Sequence, residues 1–326
     1  MEQVLSPDAM LSRMIAVEAA WTRTIAPAEV ADRIAGQITA AKITPADLAE
    51  GTTRDGVPVP ALVALLKAAV AEADHPYLHR GLTSQDVVDT AMVLALRDCG
   101  GIIADRLEKL LAALGALSDR EGAKTLMAMT RMQPALPMRA ADRIASWQRP
   151  LKARADELPD LIRRSAMIQW GGPVGVRDPD LPADTGTRFA KALGLQDPGA
   201  AWHSDRDLPV RFANSLSGLT GALGKMGQDI GLMAQTGPEA ITLSGGGGSS
   251  AMPHKQNPVL AEVLVTLARK NAADVAAMHG ALVHEQERSG AAWMLEWLVL
   301  PQMLVATGAS LRAAQALVGK IVSVGT

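Results

Sequence analysis

Five stretches of this chain place apolar residues at alternating intervals of three and four, and a chain can bury such stripes only as long helices packed side by side. The first runs through Ile103, Leu107, Leu110, Leu114 and Leu117. A second passes Ile144, Gln148, Leu151, Ala155, Leu158 and Ile162, and a third Leu216, Leu219, Leu223, Met226, Ile230 and Met233. The fourth is Leu260, Leu264, Leu267, Asn271, Val275, Met278 and Leu282; a less regular fifth extends from Trp293 to Val322. Several span about thirty residues, which as helix reach roughly 45 Å. Spacing that averages 3.5 predicts coiled-coil-like bundle packing. Almost nothing alternates with the period of a strand. The predicted fold is therefore all-α, with residues 86–326 forming a central bundle of five long helices. Residues 1–85 read as a smaller N-terminal helical domain, opened by Ser6-Pro7-Asp8 and punctuated by Pro27, Pro45, Pro58 and Pro60.

Composition fits such a bundle. Hydrophobic residues make up 48% of the 326, yet aromatics only 3%, so the core must be filled mainly by Ala, Leu, Val, Ile and Met. Ala, Leu and Met are strong helix formers. A net charge of −2 gives no general attraction to nucleic acid or to an anionic membrane. The single cysteine, Cys99, excludes an intramolecular disulfide and fits a reducing compartment. The N-terminus lacks the charged start and apolar core of a signal peptide, and no apolar stretch reads as long and charge-free enough to span a bilayer. The expectation is a soluble, cytoplasmic protein with no nucleic-acid or membrane partner.

The breaks between the long helices concentrate Gly, Pro, His and Arg. The strongest runs from Ser244 through four glycines to Ser249, Ser250, Met252, Pro253, His254, Lys255, Gln256, Asn257 and Pro258. Four glycines alone would suit a flexible linker. Asn257 before Pro258 instead suits an N-cap and first turn, so a helix N-terminus, with Lys255 just ahead of it, offers an anion site. The glycines let backbone approach a ligand or move as a lid. A phosphate-binding P-loop fails, because no Gly-Lys-Ser/Thr follows the glycines. A second cluster, His79 to Ala91, holds Thr83 and Ser84, with Thr83 and Asp86 spaced as a capping box. Capping and function account equally well for those hydroxyls. Thr130-Arg131-Met132-Gln133-Pro134 and Trp202-His203-Ser204-Asp205-Arg206-Asp207 are two more polar segments ahead of helices. Together the four segments suggest one pocket for a small polycarboxylate. No histidine pair has zinc-helix spacing, and neither metal nor cofactor is required.

These residues resemble the fumarase/aspartase superfamily, which includes argininosuccinate and adenylosuccinate lyases. Its loop Gly-Ser-Ser-x-Met-Pro-x-Lys-x-Asn-Pro is matched from Gly248 to Pro258, and His79 to Ala91 is similar to the His-x-Gly-x-Thr-Ser-x-Asp-Val-Val-Asp-Thr-Ala stretch of adenylosuccinate lyase. The likeness covers about residues 75–300. Relatives carry a third helical domain after the fifth helix, which is expected to be absent here. Superfamily lyases also carry Thr-His-x-Gln-x-Ala-x-Pro, where this chain has Arg131 in the histidine position. That departure, with the Trp202–Asp207 and Glu287–Trp297 runs, looks like one branch, the bacterial 3-carboxy-cis,cis-muconate cycloisomerases. Amine or hydroxide leaving groups need a general acid. A carboxylate, whose acid has a pKa of about 4, adds and leaves without one. Arginine can instead pair bidentately with a substrate carboxylate.

The resemblance implies lactonisation through an aci-carboxylate, in the β-ketoadipate pathway of aromatic-compound breakdown. An adenylosuccinate-lyase-like β-elimination releasing fumarate is the alternative. Ser249 would transfer the proton, with Ser250 its competitor for that role. Lys255, Asn257, Thr83 and Ser84 would bind the carboxylate whose charge grows at the transition state. His79, Arg131, Gln133, His203 and Arg206 would contact substrate, and Arg288 would either join them or form a structural pair. A homotetramer is implied, with active sites shared among subunits.

Overall fold

Ser6 opens the first helix: its hydroxyl accepts from the Ala9 amide at 3.2 Å, and Pro7 takes the first helical position. In the computed structural model, which describes residues 1–248, 252 and 256–326, that helix is α1 (Pro7–Ile25). The proline-punctuated region continues as short helices α2 (Ala28–Ala40), α3 (Ala49–Asp55) and α4 (Val59–Ala68). The five periodic stretches are five long helices: α5 (Ser84–Glu121), α6 (Ala140–Ser165), α8 (Asp207–Thr236), α9 (Val259–Gly280) and α10 (Ala291–Gly319). A short α7 (Thr185–Leu193) lies between α6 and α8 in the chain. The chain forms two compact units. One comprises Met1–Cys99, Ile162–Leu208 and Ala281–Met294; the other Gly100–Leu161, Pro209–Gly280 and Leu295–Thr326.

In the first unit the scarce aromatics gather. Trp21 of α1 is fully buried, edge-on to Phe189 of α7 with ring centroids 5.0 Å apart, and tilted against Trp170 at 5.2 Å. Its indole N–H is satisfied by the Arg80 carbonyl at 2.8 Å. Cys99 is buried and free, and burial pushes its thiol up to about 11, far from the thiolate that reactivity needs.

The second unit is the long-helix bundle. Every residue of the first stripe, Ile103 to Leu117, is buried, and so is every residue of the third, Leu216 to Met233. On α6 the large buried side chains are Ile144, Trp147, Leu151 and Leu158; Trp147 takes the place expected for Gln148, and its indole donates to Asp229 of α8 at 2.7 Å. Gly224 and Gly227 bring α8 close to α9, since an added Cβ would lie 2.5 Å from Ala268 and 2.7 Å from the Ala261 carbonyl. Asn271 of α9 is fully buried and donates to Thr307 of α10 at 3.1 Å. Arg106 of α5 caps the Gly308 carbonyl of α10 at 2.6 Å.

Two features depart from expectation. Residues 125–139 form an antiparallel hairpin, β1 (Thr125–Thr130) with β2 (Gln133–Arg139), and β3 (Ile241–Leu243) pairs with β4 (Ile321–Val324). Glu121 steadies β4: Lys124 and Arg120 and the Val324 amide hold its carboxyl down to about 2. In addition, α10 is by length and composition apolar enough to cross a membrane. Half of its most apolar window is buried within the fold, with Leu300, Met303, Leu304 and Leu311 in the core. An all-round apolar helix is what the centre of a bundle requires.

Candidate active site

The start of α5 is built around two carboxylates. The chain reaches it through His79 and Gly81, both with positive φ (57° and 75°), and Thr83 precedes the first helical residue, Ser84. Asp86, at the third position of the helix, accepts the Thr83 amide at 2.8 Å, which is half of the capping box read from the sequence. The same carboxylate accepts the amides of Gly171 and Gly172, each at 3.0 Å, and His203 Nε2 at 2.7 Å. Asp89, one turn on and on the same face, accepts Arg206 at 2.7 and 3.1 Å, Gln169 at 3.1 Å and the Trp293 indole at 2.9 Å. Burial pushes Asp89 upward, but Arg206, Gln169 and Trp293 outweigh it and hold the carboxyl below its usual 3.8. The guanidinium of Arg206 also lies over the Trp202 ring, 4.9 Å from its centroid.

The first unit thus gathers His79, Thr83, Ser84, His203 and Arg206 about one helix start. His203 and Arg206 are each 3% exposed, and their named partners are Asp86 and Asp89. His203 Nδ1 is buried and has no hydrogen-bond partner among the described residues. Ser84 is half-buried and Thr83 buried. His79 is paired through Nδ1 with Glu18 Oε1 at 2.6 Å, a partner that sequence reading did not flag. Glu18 sits in an apolar run of α1 with no neighbouring polar signal, so only the fold reveals it. Arg288 donates to the Pro173 carbonyl at 2.9 Å.

The second unit holds the rest. Arg131 and Gln133 are exposed on the β1–β2 hairpin, where Arg131 and Met132 form the two-residue turn. A cavity of about 410 Å³ lies under that hairpin, lined by Met127, Met129, Met132 and Met233 with Arg131 and Arg143. Asn257 bridges back to Gly247 through two backbone hydrogen bonds of 2.9 Å and closes the base of the signature loop. Its carbonyl accepts the Val259 amide, and α9 begins at Val259, so the helix starts just after the Asn257-Pro258 pair expected to open it. A second cavity, about 250 Å³, is lined there by Gly245, Gly247, Asn257, Pro258 and Lys320. Lys320 follows α10, some sixty residues on in the chain, and no local motif marks it. Ser249 and Lys255 lie outside the described residues, as does Ser250. Among the described residues no group of three or more His, Cys, Asp or Glu side chains is placed to hold a metal ion.

Comparison with known proteins adds to this geometry. A family profile described as Lyase matches residues 12–271. The 3-carboxy-cis,cis-muconate cycloisomerase of Bradyrhizobium diazoefficiens is 35% identical over 316 residues, covering 93% of this chain and 70% of that protein. The crystal structure of the 3-carboxy-cis,cis-muconate lactonizing enzyme from Pseudomonas putida matches with a TM-score of 0.89 at 29% identity, over 98% of this chain and 74% of that one. A fumarate lyase from a Mesorhizobium species matches with a TM-score of 0.90 at 28% identity, over 99% of this chain and 75% of its own.

Proposed function

Because the chain belongs to the lyase family, within the fumarase/aspartase superfamily, we propose that it is a cycloisomerase that closes 3-carboxy-cis,cis-muconate to a carboxymuconolactone. Arg131 carries the reading. Where superfamily lyases place a histidine to help a poor leaving group, this chain presents a guanidinium at a hairpin turn. Ring closure needs no such acid, since the attacking group is one of the substrate's own carboxylates. Its oxygen adds to the diene and forms the C–O bond. The electron pair moves toward the neighbouring carboxylate, giving an aci-carboxylate, and the α-carbon then takes a proton. Ser249 supplies that proton. Lys255, Asn257, Thr83 and Ser84 bind the carboxylate whose charge grows, and each well-aimed donor of this kind contributes about 2.7–4 kcal/mol. His79, Arg131, Gln133, His203 and Arg206 complete the substrate contacts.

Further parts of the reading rest on the sequence pattern and, for the oligomer, on the same resemblance. The domain boundary lies at 85/86, next to the start of α5 at Ser84, leaving residues 1–85 as the N-terminal helical domain and 86–326 as the bundle. The enzyme works as a homotetramer with shared sites, in the cytoplasm, in keeping with its one unpaired cysteine.

The test is an ultraviolet assay with 3-carboxy-cis,cis-muconate. The absorption of the conjugated diene should fall while product mass equals substrate mass. Stoichiometric release of fumarate from an adenylosuccinate-type substrate would instead establish the β-elimination reading. Two variants separate chemistry from binding: Ser249→Ala should depress kcat severely with little change in affinity, and Lys255→Ala should weaken binding as well as lower kcat. Normal turnover in Ser249→Ala with loss in Ser250→Ala would move the proton to the neighbouring serine.

A further inference from the structure

Glu18 is a buried carboxylate with an unusual allotment of partners. Its side chain is 1% exposed, yet among the described residues only Oε1 is hydrogen-bonded, to His79 Nδ1, and the buried Oε2 has no partner. A lone buried carboxylate is costly unless a positive charge faces it. His79 is itself held in the left-handed backbone region, φ 57°, which is unfavourable for a residue with a Cβ. Strain of this kind persists where the surroundings fix a side chain for a purpose. The His79 side chain is 21% exposed, and among the described residues Nε2 has no hydrogen-bond partner. One edge of the ring is thus locked to α1 while the other is free.

We propose that Glu18 is a positioning residue for substrate binding: it holds His79 as an imidazolium whose Nε2–H donates to a substrate carboxylate. The proposal rests on the cycloisomerase reading for the identity of that substrate, and on the geometry alone for the pairing. Electrostatics agrees with it. Burial pulls the imidazole down, and Lys67 of α4 adds to that pull, but the hydrogen bond and charge of Glu18 and the charge of Asp86 on α5 outweigh both. The net result lies above the usual 6.5. A polyanionic substrate then meets a fixed cation whose neutralising carboxylate is buried behind it. In the unliganded protein the same carboxylate keeps the charge from being stranded.

The decisive measurement is nitrogen-resolved NMR of the imidazoles in the unliganded wild-type protein, with His79 assigned by the signal lost in His79→Gln. Both ring nitrogens of His79 should be protonated at pH 7, and Glu18→Gln should move its titration to lower pH. With substrate, Glu18→Gln should raise KM for 3-carboxy-cis,cis-muconate about tenfold at pH 7, as expected for losing most of the imidazolium, with kcat changed far less. The double variant should be no worse than His79→Gln alone, because Glu18 acts only through that ring. A neutral His79 in the wild type at pH 7 would overturn the proposal, and so would additive losses in the double variant. If Glu18→Gln does not fold, the wild-type spectrum decides by itself. Absence of turnover with 3-carboxy-cis,cis-muconate would sink the proposed reaction, while the imidazole titration would still settle the pairing.

Discussion

Asp89 lies inside the fold with two guanidinium nitrogens, an amide and an indole on its two oxygens. Replacing it by Asn would remove the carboxylate charge from its buried pair with Arg206, and breaking such a pair costs about 3–5 kcal/mol. Asp89→Asn should therefore lower the midpoint of denaturant unfolding. The pH dependence has a fixed sign. The folded-state pKa is depressed, so the stabilisation is fully present above the usual 3.8 and is lost as pH falls through the lower, folded value. The gap in stability between wild type and Asp89→Asn should be constant near neutrality and shrink only in that acid range. A gap that shrinks on raising pH would contradict the assignment. At this scale the sequence was only partly legible. The Thr83–Asp86 capping box could be read because a cap is a local device, three residues long. The reach of Asp86 to His203, and of Asp89 to Arg206, spans 117 residues and leaves no local trace. Glu18 is the same case, 61 residues from its histidine.

The β1–β2 hairpin turns through Arg131 and Met132 with φ of 49° and 66°. Positive φ at both central positions is the geometry of a two-residue hairpin turn, and it is normally supplied by Asn-Gly or Asp-Gly. Neither is present, and Pro134 and Pro137 lie in the second strand, so the usual signals of a hairpin are missing from these residues. The five long helices announced themselves because a stripe repeated over many turns survives one misplaced position, such as Trp147 for Gln148. The turn also separates backbone from side-chain roles at Arg131. Arg131→Gly relieves a left-handed residue that costs about 1–2 kcal/mol, so it should match or exceed wild type in thermal stability. If the guanidinium binds a substrate carboxylate, the same variant should raise KM markedly. Unchanged KM with a raised melting temperature would leave Arg131 without a part in binding.

For the whole molecule, the family match spans residues 12–271, and the cycloisomerase compared above aligns with 93% of the chain. His79, Thr83 and Ser84 belong to one compact unit, and Arg131, Gln133 and Asn257 to the other. If sites are shared among subunits, mixing inactive Ser84→Ala and Ser249→Ala proteins should restore partial activity after subunit exchange. Verified exchange with no recovery would count against sharing. The central claim, ring closure by addition with one proton delivered to carbon, is tested most directly by turning over 3-carboxy-cis,cis-muconate in deuterium oxide and examining the product by NMR and mass spectrometry. The account predicts a single lactone carrying one carbon-bound deuterium per molecule, with every carbon of the substrate retained. A product split into two fragments, or a lactone formed with no deuterium on carbon, would contradict it.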